Sequence, residues 1–346
     1  MEDIPMEEAE KDQVSIRLSP PRKKSKVTAD SSSSKGNDVN PPQPLIPNHL
    51  RHRINAHTGK CNSVLFLNNS DYLISGGKDN VINVWDPRNG AKTNTFEGFQ
   101  GSVCDMAISK DNSLLVAGLT SHNLCVWDLN SGQILRTLKG HSQKVTAVDI
   151  SKVNGEYMII SAALNDCVKL WSLENDYPIN GFHFSLSNIN AISFAAENKM
   201  VLSGHDNGKI AFYNIDRNPY YSIRQIKVHT QPVTSFCSLQ NGNVLMSSGR
   251  DNLHNLIDVR TMQVCRKFKT KGNLVATNWT RTCVSPDENF AAVGSSDGMV
   301  SIWSIQMGKK IHSMKEHNGS VLSCAWSGLG NSLSTADNDG TICIWS

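Results

Sequence analysis

Aromatic side chains are missing from the first 65 residues, although 7 Trp, 6 Tyr and 10 Phe follow in the 346-residue chain, beginning at Phe66. The same N-terminal stretch carries Ser31-Ser32-Ser33-Ser34 and seven of the twelve prolines (Pro5, Pro20, Pro21, Pro41, Pro42, Pro44 and Pro47). Such a segment cannot bury enough apolar surface to offset its ordering entropy, so residues 1–49 are expected to be a disordered tail. No run of roughly 18 apolar residues occurs, which excludes a membrane-spanning helix. The acidic start Met1-Glu2-Asp3 lacks the basic and apolar regions of a secretory signal. Charge is scarce: 34 basic against 31 acidic residues leave +3, too little for a dedicated nucleic-acid protein. The nine cysteines include no Cys-x-x-Cys pair, which points to a reduced, intracellular compartment and argues against a metal site. Gly-x-Gly-x-x-Gly and the phosphate-binding Gly-Lys-Ser/Thr are also absent, so neither a cofactor nor an enzymatic activity is expected.

The tail's charges are segregated. Glu2, Asp3, Glu7, Glu8, Glu10 and Asp12 precede Arg17, Arg22, Lys23, Lys24 and Lys26. The run Pro21-Arg22-Lys23-Lys24-Ser25-Lys26-Val27 is similar to a short nuclear-import signal, with a solvated basic patch as the plainer alternative. Phosphorylation of Ser19 or Ser25 would reduce its positive charge.

From residue 50 onward the chain repeats. Trp85, Trp127, Trp171, Tyr213, Ile257, Trp303 and Trp345 end equivalent segments at intervals of 42, 44, 42, 44, 46 and 42 residues, each the difference of adjacent positions. Short alternating segments such as Ser63-Val64-Leu65-Phe66-Leu67 and Asn289-Phe290-Ala291-Ala292-Val293, bounded by Asn, Asp, Gly and Ser, read as strands. Seven units of this length match a WD-repeat propeller with four strands per blade, and other repeats of that period would need helical patterning. The expected architecture is therefore all-β: a seven-bladed propeller over residues 50–346 behind the tail.

Companion residues keep the register. His57, Phe99, His229 and His317 lie 28 residues before the Trp position, and His141 lies 30 before it. Ser75, Ala117, Ser161, Ser203, Ser247, Val293 and Thr335 lie ten before it; Asp79, Ser121, Asn165, Asn207, Asp251, Asp297 and Asp339 lie six before it. Blade one (His57, Ser75, Asp79, Trp85) and blade seven (His317, Thr335, Asp339, Trp345) thus hold full quartets that brace the strands of a blade, while blades two, four and six lack most of theirs. A Ser, His and Asp together invite a hydrolase reading. Recurrence in several blades and an end on an indole argue for bracing instead, with no oxyanion hole in prospect. The histidines stand one per blade, too far apart for a metal. Cys61, Cys104, Cys237 and Cys324 fall on innermost strands as small packed hydrophobes. The chain stops one residue after Trp345, so the last blade needs an outer strand; Leu50-Arg51-His52-Arg53-Ile54 can supply it and close the ring.

Four stretches carry a closer resemblance. They are Ser248-Gly249-Arg250-Asp251-Asn252-Leu253-His254-Asn255-Leu256-Ile257-Asp258-Val259-Arg260-Thr261, the insertion ending Asn278-Trp279-Thr280-Arg281, Ala292-Val293-Gly294-Ser295-Ser296-Asp297-Gly298-Met299-Val300-Ser301-Ile302-Trp303-Ser304, and Ala325-Trp326-Ser327-Gly328. With them the chain resembles, over residues 50–346, the propeller of the autophagy-related protein 16 family, most of all its plant members. The resemblance implies a non-catalytic scaffold that acts in autophagosome formation or docks cargo and adaptors. Its partners would be proteins or peptides, with no nucleic acid and no membrane span. It also implies a monomeric propeller in the cytoplasm, peripheral to autophagic membranes through its partners, and also nuclear if the basic run works. The N-terminal conjugate-binding helix and coiled coil of that family have no counterpart in residues 1–50, which show no heptads and are proline-rich.

Two candidate interaction sites follow. Loops next to the His and Asp positions should converge on one rim, where Lys60, Lys78, Lys144 and Arg250 would form a basic crescent for acidic peptides; ordinary solvated loop charges are the alternative. On the opposite face, Asp86-Pro87-Arg88 and Asp258-Val259-Arg260 resemble the Asp-x-Arg signature of cullin-4 ligase substrate receptors, where an arginine is offered to a partner's acceptors. The Phe-Arg-Arg-Gly string of phosphoinositide-binding propellers is absent.

Overall fold

The computed structural model describes residues 46–346 apart from 69, 165–166, 183–186, 216–221, 240–241 and 270–274. The basic run at 21–27 and Asn165 therefore lie outside the described residues. Seven antiparallel four-stranded sheets form the propeller, and no α-helix occurs among the described residues. The innermost strands of blades one to seven are Cys61–Phe66, Val103–Ile108, Val145–Val153, Ile189–Ala195, Val233–Leu239, Cys283–Val284 and Val321–Trp326.

Burial explains the patterning of each strand. In blade one the second and third strands, Leu73–Gly77 and Ile82–Asp86, are buried at every position because neighbouring blades cover both faces. The outermost strands have solvent on one side and alternate, as in Leu50–Asn55. Seven apolar clusters hold the ring together, one in each seam between adjacent blades. The cluster of Ile74, Phe96, Met106 and Trp127 joins blades one and two, and that of Cys61, Phe66, Trp85, Ile342 and Ile344 joins blades seven and one. Each fully buried side chain of that size contributes roughly 1.5–3 kcal/mol.

The ring closes where the first described strand meets the last. Leu50–Asn55 pairs antiparallel with Thr341–Trp345, in the register Leu50 to Trp345 and Asn55 to Thr341. The sheet order places this N-terminal strand outside the three C-terminal ones. Thr341–Trp345 is thereby paired on both sides, so its edge no longer offers a template for mispairing. The pairing extends beyond the strand: the amides of Asn48 and His49 donate to the Ser346 carbonyl, and Ile46 packs against the blade-seven cluster. Gly340 locks the upper end of the seam. Its φ of +84° suits glycine, and a Cβ there would stand 2.2 Å from the His57 carbonyl. That proximity lets the Gly340 carbonyl accept from the amides of Ala56 and His57.

Candidate functional site

The loops that carry the histidines and the Asp positions share one face, the upper one; the Trp-Asp ends of the third strands share the lower. In blade one, Trp85 Nε1 donates to Ser75 Oγ at 2.8 Å, Ser75 donates to His57 Nε2 at 2.8 Å, and His57 Nδ1 donates to Asp79 at 2.8 Å. Asp79 also accepts from the Thr58 amide at 3.0 Å. The relay ties the third strand, the second strand and the entry loop into one unit. Burial holds the His57 imidazole below its ordinary pKa, against the opposing pull of Asp79, so the ring stays neutral with its proton on Nδ1. The Ser75 hydroxyl is fully enclosed, and no substrate can reach it. Close approach makes room for the ring: a Cβ on Gly77 would lie 2.5 Å from His57 Nδ1.

Blades three and five repeat parts of the relay. Trp171 and His141 share Ser161 at 2.8 and 2.6 Å, and His229 bonds Ser247 at 3.0 Å and Asp251 at 2.9 Å. Blade two replaces the relay with an aromatic pair, Phe99 meeting Trp127 edge-on at 5.3 Å.

Blade seven corrects the sequence expectation. His317 bonds Thr335 at 2.7 Å and Trp345 donates to Thr335 at 3.0 Å, but the carboxylate on His317 Nδ1 belongs to Asp337, at 2.7 Å, and not to Asp339. The cause is the position eight before the Trp. Blades one and five have Gly77 and Gly249 there, and both would clash with the histidine if they carried a Cβ. Blade seven has Asp337, whose side chain fills that space and also accepts from the amides of Asp339 and Thr341. Asp339 is displaced and packs against Gly319. Blade four uses the same position differently. His205 stands there and bonds Ser203 at 2.9 Å, with the Tyr213 hydroxyl at 3.4 Å from that serine. Counting back from the tryptophan at fixed offsets missed both residues, because the two halves of the relay come from different strand positions.

Three of the four rim cations come together. Lys60, Lys78 and Lys144 line one pocket of about 330 Å³ with Asn62, Ser102, Thr120 and Trp279. It is bounded by the inner ends of blades seven, one, two and three, with Leu322 from blade seven, and by the insertion that carries Thr277 and Trp279. The Lys60 carbonyl accepts from the Lys78 amide at 2.8 Å, and Ser102 Oγ donates to the Lys78 carbonyl at 2.9 Å, so the loops of blades one and two are fixed together. Arg250 does not join them: its guanidinium bonds Asn278 at 3.4 Å on the other side of the insertion. Burial pushes the Cys104 thiol in the pocket wall up to about 11 and keeps it protonated. The same cause lifts Cys237 to about 11 and Cys324 to about 12, while Cys61 is raised and fully enclosed.

The insertion before blade six closes the axis. Arg281 drops into the channel, where Nε and Nη2 reach Asp105 at 3.1 and 3.0 Å. Nη1 donates to the Asn190 and Thr234 carbonyls at 2.9 and 2.7 Å, and Nη2 to that of Thr146 at 2.9 Å. One guanidinium thus links the inner strands of blades two, three, four and five. Asn278 adds a bond to Asp206 at 3.0 Å. Beneath Arg281 lies a cavity of about 420 Å³ lined by Asp149, Ser193, Cys237 and Ser323. Burial raises Asp149 to about 6, although the Phe194 and Ile150 amides donate to it. The only signal of this plug in the sequence was the long interval ahead of Trp303.

On the lower face each arginine of the two Asp-x-Arg strings folds back onto its own aspartate. Arg88 bonds Asp86 through Nε at 2.9 Å and Nη2 at 2.6 Å; Arg260 reaches Asp258 at 3.1 Å. The arginine partner holds each carboxyl below the usual range. Both forks are engaged within the chain, while the two side chains stay about two-thirds exposed, at 65% for Arg88 and 66% for Arg260. Among the described residues no cluster of three or more His, Cys, Asp or Glu forms that could hold a metal, and there is no helix long and apolar enough to cross a membrane.

The sequence is similar to those of known proteins. Autophagy-related protein 16 of Arabidopsis thaliana is 40% identical over 300 residues, which are 87% of this chain and 58% of that protein. Protein tipD of Dictyostelium discoideum is 27% identical over 306 residues, and Protein Atg16l2 of Mus musculus 29% over 307, each covering 87% of this chain. The chain spans about half the length of these relatives, at 58%, 49% and 47%. The model of the WD domain, G-beta repeat family matches residues 48–86, 90–128, 132–172, 220–258, 267–304 and 308–346. It passes over the fourth blade, where His205 and Tyr213 replace the usual residues, yet that sheet is built of four strands like the others. The chain therefore belongs to the WD domain, G-beta repeat family.

Proposed function

We propose that this propeller is a non-catalytic docking module of autophagy, which brings cargo or adaptor proteins to forming autophagosomes through its upper face. The observation that carries the reading is the 40% identity to Autophagy-related protein 16, which runs through the propeller and the insertion that shapes the upper face. The chemistry of the quartets supports it, since their hydroxyls and imidazoles are enclosed and brace the blades. What the fold presents outward is a rim of loops on a rigid ring, the usual place for partner recognition. In this reading the protein works in the cytoplasm and reaches autophagic membranes through its partners.

The test is localisation of the fluorescently tagged chain in starved cells, beside a variant with Lys60, Lys78, Lys144 and Arg250 reversed to Glu. Recruitment of the wild type to autophagosomal puncta, and its loss in the variant, is the expected result. A wild type that stays diffuse under starvation overturns the proposal.

A further inference from the structure

We infer that the lysine-lined pocket of the upper face binds acidic peptide segments in which carboxylates flank an aromatic or large apolar side chain, with Trp279 as the apolar wall and Lys60, Lys78 and Lys144 as the cationic rim. The inference rests on the docking role proposed above and assigns it a place and a ligand class.

Charge gives the first part of the argument. The three lysines surround a space lined by no carboxylate. The acidic groups nearest in sequence are engaged elsewhere: Asp79 accepts from His57 and Thr58, and Asp105 accepts from Arg281 and from the Val148 amide. The pocket thus presents positive potential with no internal counter-charge, and such a site favours an anionic partner. Lysine narrows the class. Planar guanidinium forks suit one phosphate or carboxylate gripped at two points, whereas separate ammonium groups are point charges that suit carboxylates spread along a chain.

Shape gives the second part. About 330 Å³ is at the small end of ligand pockets, enough for a side chain or two and not for a folded surface. Its wall is apolar as well as basic, with Val145, Leu322 and Cys104 beside Trp279. Trp279 is 36% exposed, although most tryptophans of the ring are buried. It is held by its own loop, where Thr277 Oγ1 accepts from the Trp279 amide at 3.2 Å, and Lys144 Nζ lies 4.1 Å from its ring centre. That cation–π contact holds a charge at the edge of an apolar surface, so a residue entering there meets both. The insertion that closes the channel with Arg281 is the segment that delivers Trp279, so closing the axis and building the pocket are one device.

Fluorescence anisotropy with the full chain tests the assignment, using fluorescein-labelled Gly-Gly-Glu-Asp-Phe-Glu-Gly as probe. Three companions carry Gln-Asn-Phe-Gln, Glu-Asp-Gly-Glu or Gln-phosphoserine-Phe-Gln in the same frame. The acidic aromatic peptide should bind roughly tenfold more tightly than either its amide or its glycine counterpart, and weaken as salt rises. Lys78→Ala should weaken it several-fold and Trp279→Ala about tenfold, the latter with little effect on the glycine peptide. Trp279→Phe keeps an aromatic wall and should retain binding, which separates recognition from misfolding. Equal affinity for acidic and amide peptides, or indifference to both Lys78→Ala and Trp279→Ala, overturns the inference; tighter binding of the phosphopeptide overturns the carboxylate class. If autophagosomal recruitment survives Trp279→Ala while peptide binding does not occur, the pocket fails and the docking role stands.

Discussion

Blades one and two sit side by side and solve the same mechanical problem with different chemistry. Blade one ties its strands with the relay Trp85–Ser75–His57–Asp79, and blade two presses Phe99 edge-on against Trp127 with Ala117 where the serine would be. Both bring the entry loop down onto the third strand. The difference shows that the polar quartet is one way of fixing a blade and not a condition for it. Buried hydrogen bonds contribute little net stability when satisfied and cost heavily when broken, so a relay blade is specified by its full set, while an aromatic blade tolerates piecemeal change.

The largest test removes what both kinds of blade depend on. Deleting residues 50–56 strips the outer strand from the seventh sheet and should cost at least about 5 kcal/mol, lowering the thermal midpoint by roughly 10–20 °C. A midpoint within a few degrees of the wild type would mean that closure does not hold the ring. Next comes the relay itself. Ser75→Ala leaves the Trp85 indole and the His57 imidazole buried without their partner and should cost about 2–3 kcal/mol in urea unfolding. The reciprocal change Ala117→Ser in blade two, with no histidine to serve, should cost about 1 kcal/mol. Equal costs would erase the distinction between the two blades.

Blade seven sharpens the comparison further. Asp337→Ala should destabilise by about 2–3 kcal/mol, whereas Asp339→Ala should stay within about 0.5 kcal/mol. Asp337→Gly should be milder than Asp337→Ala, because glycine at this position is what lets the aspartate two residues on reach the histidine in blades one and five. A variant in which Ala and Gly behave alike would refute that account of the displaced carboxylate.

Acidification has the smallest effect. Burial lowers His57 and His205 and takes His254 to about 4. The unfolded chain therefore binds more protons than the folded one between the ordinary histidine value near 6.5 and those lowered values, and stability falls as pH drops through that window. Asp149 opposes this, since the folded state keeps its proton up to about 6. The thermal midpoint should fall between pH 7 and pH 5, with a shallower slope in His254→Leu and a steeper one in Asp149→Asn. Identical slopes in all three proteins would contradict the assignment.

Much of this molecule was legible before any coordinates. The seven-fold recurrence at 42–46 residues led to the blade count, and the missing last strand pointed to residues 50–54 as its replacement, a strand that the structure runs to Asn55. The relay of blade one was also legible, since its four residues stand at the usual offsets. The relay of blade seven was not, because Asp337 and Asp339 both lie near the Trp and only the space left beside His317 chooses between them. The rim was half legible. The sequence offered four cations; the fold gathers Lys60, Lys78 and Lys144 and sends Arg250 to Asn278.

Local pattern alone determined that this chain makes strands, how many sheets they form and which residues brace the first blade, because strand alternation and turn chemistry act over a few residues and recur with every repeat. Tertiary structure alone decided what fills the axis and what faces a partner. Arg281 meets Asp105 across 176 positions of chain, and Trp279 meets Lys144 across the ring, contacts that exist only once seven sheets have curved round to bring blade six opposite blades two and three.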